Sequence, residues 1–165
     1  MSIKPVIFQG TFDPFTNGHL AIVKSILQLF GSVRILLLIN PDKTPVFSVQ
    51  ERKEIIQAAT ADLTGVSVDS FDGLLVDYMR ARELNICARG IRNAADAAYE
   101  IRNAQLSQAL YPSLCTLFFP CPSQWSQVSS SVVKGACQSG TFPTEWLPAG
   151  AQKIVARKFN LPKTL

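Results

Sequence analysis

Histidine is nearly absent from this chain: His19 is the only one, so a multi-histidine metal centre is excluded. Cysteine is sparse too, and Cys87, Cys115, Cys121 and Cys137 show no CxxC spacing. They therefore read as reduced core and loop residues rather than a zinc ribbon or a redox pair. Charge is low, with 17% of the 165 residues charged and a formal net charge of +4 spread along the chain. No basic block forms, so a small acidic substrate is expected rather than nucleic acid. Long apolar runs are missing as well: the stretch from Ile35 to Ile39 is far too short to span a bilayer. With no charged-then-apolar leader, no repeat and no low-complexity tract, the expected setting is the cytoplasm, away from membranes.

What remains is a 47% hydrophobic sequence whose length suits one domain, residues 1–165, with one sizeable core. Short β-branched runs alternate with longer helical patterns, the mark of βαβ units. Strands are expected near Lys4–Phe8, Val33–Ile39, Val66–Asp69, Asn85–Ala88 and Thr116–Phe119. Helices are expected over Gly18–Phe30, from Ser48 to about Leu63, Gly73–Leu84, from Asn93 through Leu110, after Ser129, and over Thr144–Phe159. The fold class is α/β: a Rossmann-like parallel five-stranded sheet with helices on both faces. Such sheets bind ligands outside the carboxyl ends of their strands.

The stretch Gly10 to His19, GTFDPFTNGH, lies between the apolar run Val6-Ile7-Phe8 and an amphipathic run. A strand that turns at glycine and reopens as a helix aims N–H groups and the positive helix end at one spot, where an anion is stabilised. Thr11 and His19 add donors there, and Gly18 leaves the backbone open to approach. The plainer reading is a βα turn capped by Thr16 or Asn17, with His19 as a passenger. The two are compatible.

Three more segments follow predicted strands and carry phosphate-compatible groups: Lys43, then Arg89 and Arg92, then Ser129-Ser130-Ser131. Singly, Lys43 reads equally as a solvated loop charge and the serines as a helix cap. Arg89 and Arg92 sit three apart at a helix entry, where cations are disfavoured, so an anion is expected to compensate. Four such loops on one sheet edge point to a polyphosphate and a second phosphorylated molecule. Tyr99 and Glu100 on the long helix read as packing residues or nucleotide contacts.

The ten-residue block GTFDPFTNGH resembles the signature of nucleotidyltransferases with an (H/T)xGH motif, and specifically the bacterial phosphopantetheine adenylyltransferases. The likeness extends to Pro41-Asp42-Lys43-Thr44-Pro45-Val46-Phe47 with Glu51-Arg52, to Arg89-Gly90-Ile91-Arg92, to Tyr99-Glu100, and to Trp125-Ser126-Gln127-Val128-Ser129-Ser130-Ser131-Val132-Val133-Lys134. The resemblance implies adenylyl transfer from ATP to 4′-phosphopantetheine, giving dephospho-coenzyme A (dephospho-CoA) and pyrophosphate, a step of coenzyme A (CoA) biosynthesis. By it, Thr11, Lys43 and Arg89 hold the acceptor phosphate, and Leu75 borders the pantetheine arm. ATP touches Thr11, Phe12, His19, Gly90, Ile91, Arg92, Glu100 and the segment Trp125 to Ser131. His19, Lys43 and Arg89 are the catalytic set, Mg2+ arrives with ATP without a protein metal site, and the family's hexamer is the implied assembly.

The sequence departs from the family pattern at Gln9, where proline is usual, at Leu106-Ser107-Gln108, where an asparagine-containing stretch is usual, and at Gly135, where glutamate is common. These changes bear on acceptor affinity and on feedback by CoA rather than on the phosphate chemistry. Two alternatives stand beside the main reading: a related nucleotidyltransferase using a nicotinamide or alcohol-phosphate acceptor, and a catalytically silent ATP or CoA binder.

Overall fold

The computed structural model describes residues 4–39 and 44–162. Its strands are β1 (Val6–Gly10), β2 (Val33–Ile39), β3 (Val66–Asp72), β4 (Ile86–Ile91) and β5 (Cys115–Pro120). Its helices are α1 (Asn17–Phe30), α2 (Val49–Ala59), α3 (Leu75–Ala81), α4 (Ala94–Leu110), α5 (Ser130–Gln138) and α6 (Ala149–Lys158). All strand pairs are parallel, in the order β3-β2-β1-β4-β5.

Successive strand side chains point to opposite faces, and the apolar runs fill both. Val6, Phe8, Val33, Ile35 and Leu37 enter one core with Ile22, Val23 and Ile26 of α1, Ile55 and Ile56 of α2, Val133 of α5 and Val155 of α6. Ile7, Leu36 and Cys87 enter the other with Val76, Tyr78 and Met79 of α3. Helix α4 sits outside both: of its 17 residues only Glu100 is buried. Among the described residues no helix is long and apolar enough to cross a membrane.

Several boundaries differ from the sequence reading, each for a local reason. The first strand starts at Val6, not Lys4, and runs to Gly10, which pairs with Leu37. Strands β3, β4 and β5 run on to Asp72, Ile91 and Pro120, because Ile39↔Asp72 and Ile91↔Pro120 pairing continues through residues that look turn-like in isolation. Helix α2 stops at Ala59 rather than near Leu63, where the Thr60 hydroxyl donates to the Ile56 carbonyl (2.8 Å). Helix α3 is shorter than Gly73–Leu84, bounded by Gly73 at φ 146° and Glu83 at φ 52°. The last expected helix is split into a 3₁₀ turn at Thr144–Trp146 and α6, because Pro148 holds Leu147 extended.

The strand order places the site. The chain leaves β1 toward β2 on one side, while β4 lies on the other, so connections diverge at the β1/β4 boundary. A crevice opens at the carboxyl ends of strands where the order reverses in this way.

Candidate active site

A cavity of about 470 Å³ occupies that crevice. Its wall takes Gln9 and Gly10 from the end of β1, Arg89 and Gly90 from β4, and Gly18 and His19 from the first turn of α1. Thr44 and Pro45, Arg92, Asp96 and Glu100, Cys121, and the Val128 to Ser131 segment with Lys134 complete it.

Helix α1 begins with a capping arrangement in which a histidine stands where a glutamate usually does. The Thr16 backbone N–H donates to His19 Nδ1 (3.0 Å), and the Thr16 hydroxyl lies 3.1 Å from the same nitrogen. A backbone N–H only donates, so Nδ1 is an acceptor and the ring proton sits on Nε2. The ring packs edge-on to Phe12 (5.1 Å between centroids) and beside Phe15 (5.3 Å). Burial, reinforced by repulsion from Arg92 and Arg89, pushes its pKa down to about 3. His19 is therefore a neutral imidazole with one N–H to donate.

Two glycines at the site allow close approach. A Cβ on Gly90 would stand 2.4 Å from Ile22 Cδ1, so its absence lets β4 lie against α1. A Cβ on Gly18 would stand 3.3 Å from Cys121 Sγ, where α1 meets the segment after β5.

Each described cation on the wall has a carboxylate partner. Arg89 donates from Nε (2.6 Å) and Nη2 (2.5 Å) to the two oxygens of buried Glu100, and from Nη1 to the Gln9 carbonyl (2.7 Å). Arg92 donates through its backbone N–H (3.1 Å) and Nε (3.4 Å) to Asp96 Oδ2. Lys134 Nζ donates to Asp13 Oδ2 (2.7 Å).

The structure amends the expected placement of several residues. Arg89 lies inside β4, paired with Phe118, and only Arg92 stands at the helix entry, beside the Asn93 cap of α4. The compensating anions at these arginines are internal, Glu100 and Asp96. The Ser129 hydroxyl accepts from the Val132 N–H (3.1 Å) as a cap, and the Ser130 hydroxyl donates to the Pro14 carbonyl (2.8 Å). Thr11, Phe12, Val128 and Ser131 line the cavity, whereas Leu75, Ile91, Trp125, Ser126 and Gln127 are not part of its wall. Leu75 belongs to the α3 core on the opposite face of the sheet. Lys43 lies outside the described residues.

Sequence reasoning gave no role to Asp13, Asp96, Cys121 or Lys134, all of which line the cavity. Asp96 had a signal, standing three residues after the Asn93 cap and four after Arg92, where it reaches both. Asp13 had none beyond its place in the first motif.

Comparison with known proteins bears on what this arrangement is. Residues 7–136 match the cytidylyltransferase-like family. The phosphopantetheine adenylyltransferase of Clostridium tetani is 40% identical over 144 residues, covering 84% of this chain and 90% of that protein. That of Syntrophus aciditrophicus is 38% identical over 158 residues, covering 96% of each. A bifunctional NMN adenylyltransferase/ADP ribose pyrophosphatase from Francisella tularensis, solved with AMP and a Mn ion, superposes with a TM-score of 0.71 at 17% identity. It matches 96% of this chain, which spans about half (49%) of that longer protein, and the likeness is one of fold. Identity at this level, carried through almost the full length of relatives of one name, makes this chain a member of the phosphopantetheine adenylyltransferase family.

Proposed function

We propose that this chain, acting as one nucleotidyltransferase domain, transfers the adenylyl group of ATP to 4′-phosphopantetheine, producing dephospho-CoA and pyrophosphate. The observation that carries this reading is the convergence of a neutral imidazole N–H with Arg89, Arg92 and Lys134 on one cavity at the β1/β4 crevice. Family membership supplies the identity of the acceptor.

In this reaction an oxygen of the acceptor phosphate attacks the α-phosphorus in line. A new P–O bond forms, the bond from Pα to the bridging oxygen breaks, and pyrophosphate leaves with that electron pair. The substrate brings its own nucleophile, so the protein's task is positioning and stabilising charge. His19 donates Nε2–H to an α-phosphate oxygen as negative charge grows there. It donates without transferring the proton, in keeping with a pKa near 3. Thr11, Lys43 and Arg89 align the acceptor phosphate. Thr11-Phe12, Gly90, Arg92, Glu100 and the segment Val128 to Ser131 hold the nucleotide.

Asp13, Asp96 and Glu100, the carboxylates on the wall, are each engaged by a cation. That pairing suits a Mg2+ ion that arrives on the triphosphate rather than one held by a protein cage, and such an ion neutralises phosphate charge. The exposed Tyr99, Leu106 and Leu110 of α4 support a homo-oligomer, a hexamer by resemblance. The cytoplasm is the proposed location.

The test is pyrophosphate release from ATP with 4′-phosphopantetheine, nicotinamide mononucleotide and glycerol phosphate supplied separately. Turnover with 4′-phosphopantetheine alone is expected. Turnover with another acceptor, or with none, overturns the proposal.

A further inference from the structure

Asp13 is a nearly fully buried carboxylate, 4% exposed, at the meeting point of three chain segments. It lies in the turn between β1 and α1. Its Oδ1 accepts from the Phe47 N–H (2.9 Å), and its Oδ2 accepts from the Val46 N–H (3.1 Å) and from Lys134 Nζ (2.7 Å). Two further bonds brace the same turn: Arg52 Nη1 donates to the Thr11 carbonyl (2.9 Å) and the Ser130 hydroxyl to the Pro14 carbonyl (2.8 Å). The β1–α1 turn, the approach to α2 and the first turns of α5 are thereby tied together around one side of the cavity.

Lys134 is the cation on that side. It follows Ser130 by four residues, so the two share a face of α5, and both line the cavity. Its side chain keeps 25% of its surface, against 5% for Asp13. The ammonium has three donors, of which the carboxylate takes one. A lysine that served only to neutralise a buried acid would gain nothing from opening onto the cavity beside a row of serines.

We propose that Lys134 is a phosphate-binding cation for the departing pyrophosphate half of the nucleotide, and that Asp13 is the positioning residue that holds its ammonium at the cavity wall. Asp13 does not touch the nucleotide. It acts by fixing Lys134 and, through the Val46 and Phe47 N–H groups, the segment that faces it. The inference rests on the reading of the cavity as an ATP site.

The experiment measures binding of inorganic pyrophosphate and of ATP by calorimetry to wild type, Lys134→Met, Asp13→Asn and the double variant Asp13→Asn/Lys134→Met. It also measures turnover of the wild type with 4′-phosphopantetheine. Lys134→Met is expected to weaken pyrophosphate binding roughly 10–100-fold, the effect of losing hydrogen bonds to a charged group. Asp13→Asn is expected to weaken it in the same direction, and the double variant to bind no worse than Lys134→Met, because one residue works through the other. Should Lys134→Met fail to fold around an unpaired Asp13, Asp13→Asn/Lys134→Gln removes both charges and carries the same expectation. Pyrophosphate affinity within twofold of wild type in the folded lysine variant, or losses that add in the double variant, overturns the inference. Wild type that binds pyrophosphate and ATP but yields no dephospho-CoA overturns the proposed acceptor instead.

Discussion

At His19 the sequence supplies an imidazole and the backbone decides where its proton resides. Donation from the Thr16 N–H to Nδ1 fixes the tautomer, and packing against Phe12 and Phe15 keeps the ring neutral. Replacing His19 with alanine is expected to leave most ATP affinity while lowering kcat by ~10²–10³, as when one preorganised stabiliser of charge is removed. Steady-state and binding measurements on the variant check this, and a collapse of ATP binding with kcat unchanged contradicts the assigned role. The same residue makes stability depend on pH. Unfolded, the ring takes a proton as pH falls through 6.5, whereas folded it resists down to about 3. The unfolded chain then binds more protons, so stability falls as pH drops from 6.5 toward 3. Glu51 and Asp69, both held below their ordinary carboxylate pKa values, add to the loss only at lower pH. Between pH 6.5 and about 5 the decline in Tm should belong to His19 and be absent in His19→Ala. Parallel Tm curves for the two proteins would contradict the desolvated neutral ring.

Elements bring these residues together, and at the site β4 lies close against α1. An alanine methyl at Gly90 would stand 2.4 Å from Ile22 Cδ1, so Ile22, buried in the main core, has to shift to admit it. A loss of ~1–3 kcal/mol in urea unfolding is expected, with a lower kcat because α1 carries His19. An unchanged midpoint would show that the contact relaxes freely. This level of organisation was largely legible beforehand. Strand and helix periodicity in runs such as Val33–Ile39 and Asn17–Phe30 located every strand and helix of the sheet layer, since burial on both faces demands continuous apolar runs. Strand ends were less legible, because Arg89 to Ile91 extend β4 only through pairing with β5. Asp96 was the clearest omission, and Glu100 was read as a packing residue or nucleotide contact rather than as the partner of Arg89. The expectation of an anion near Arg89 and Arg92 was met by Glu100 and Asp96, and no spacing rule links Arg89 to a side chain eleven residues away on another element.

For the whole molecule, the consequence is a cavity wall whose charges are balanced, with Arg89, Arg92 and Lys134 facing Glu100, Asp96 and Asp13. The cations are held in place by these pairings, so in the proposed reaction incoming phosphates meet groups already oriented. The carboxyl-terminal region, whose packing the sequence left open, covers its own core: Ala151 and Val155 are buried there, Gly150 lies against the Ala58 carbonyl of α2, and Lys158 pairs with Glu51. That closure braces α2 behind the turn that Arg52 and Asp13 hold. The proposed reaction asks this frame to serve one event, the direct passage of an adenylyl group between two phosphorylated molecules. Its most direct test is turnover of ATP made chiral at the α-phosphorus by sulfur substitution, with 4′-phosphopantetheine as acceptor. A single in-line displacement inverts the configuration in the dephospho-CoA formed, and inversion is the expected result. Retention would mean a covalent adenylyl-protein intermediate and would contradict a site that works by positioning alone.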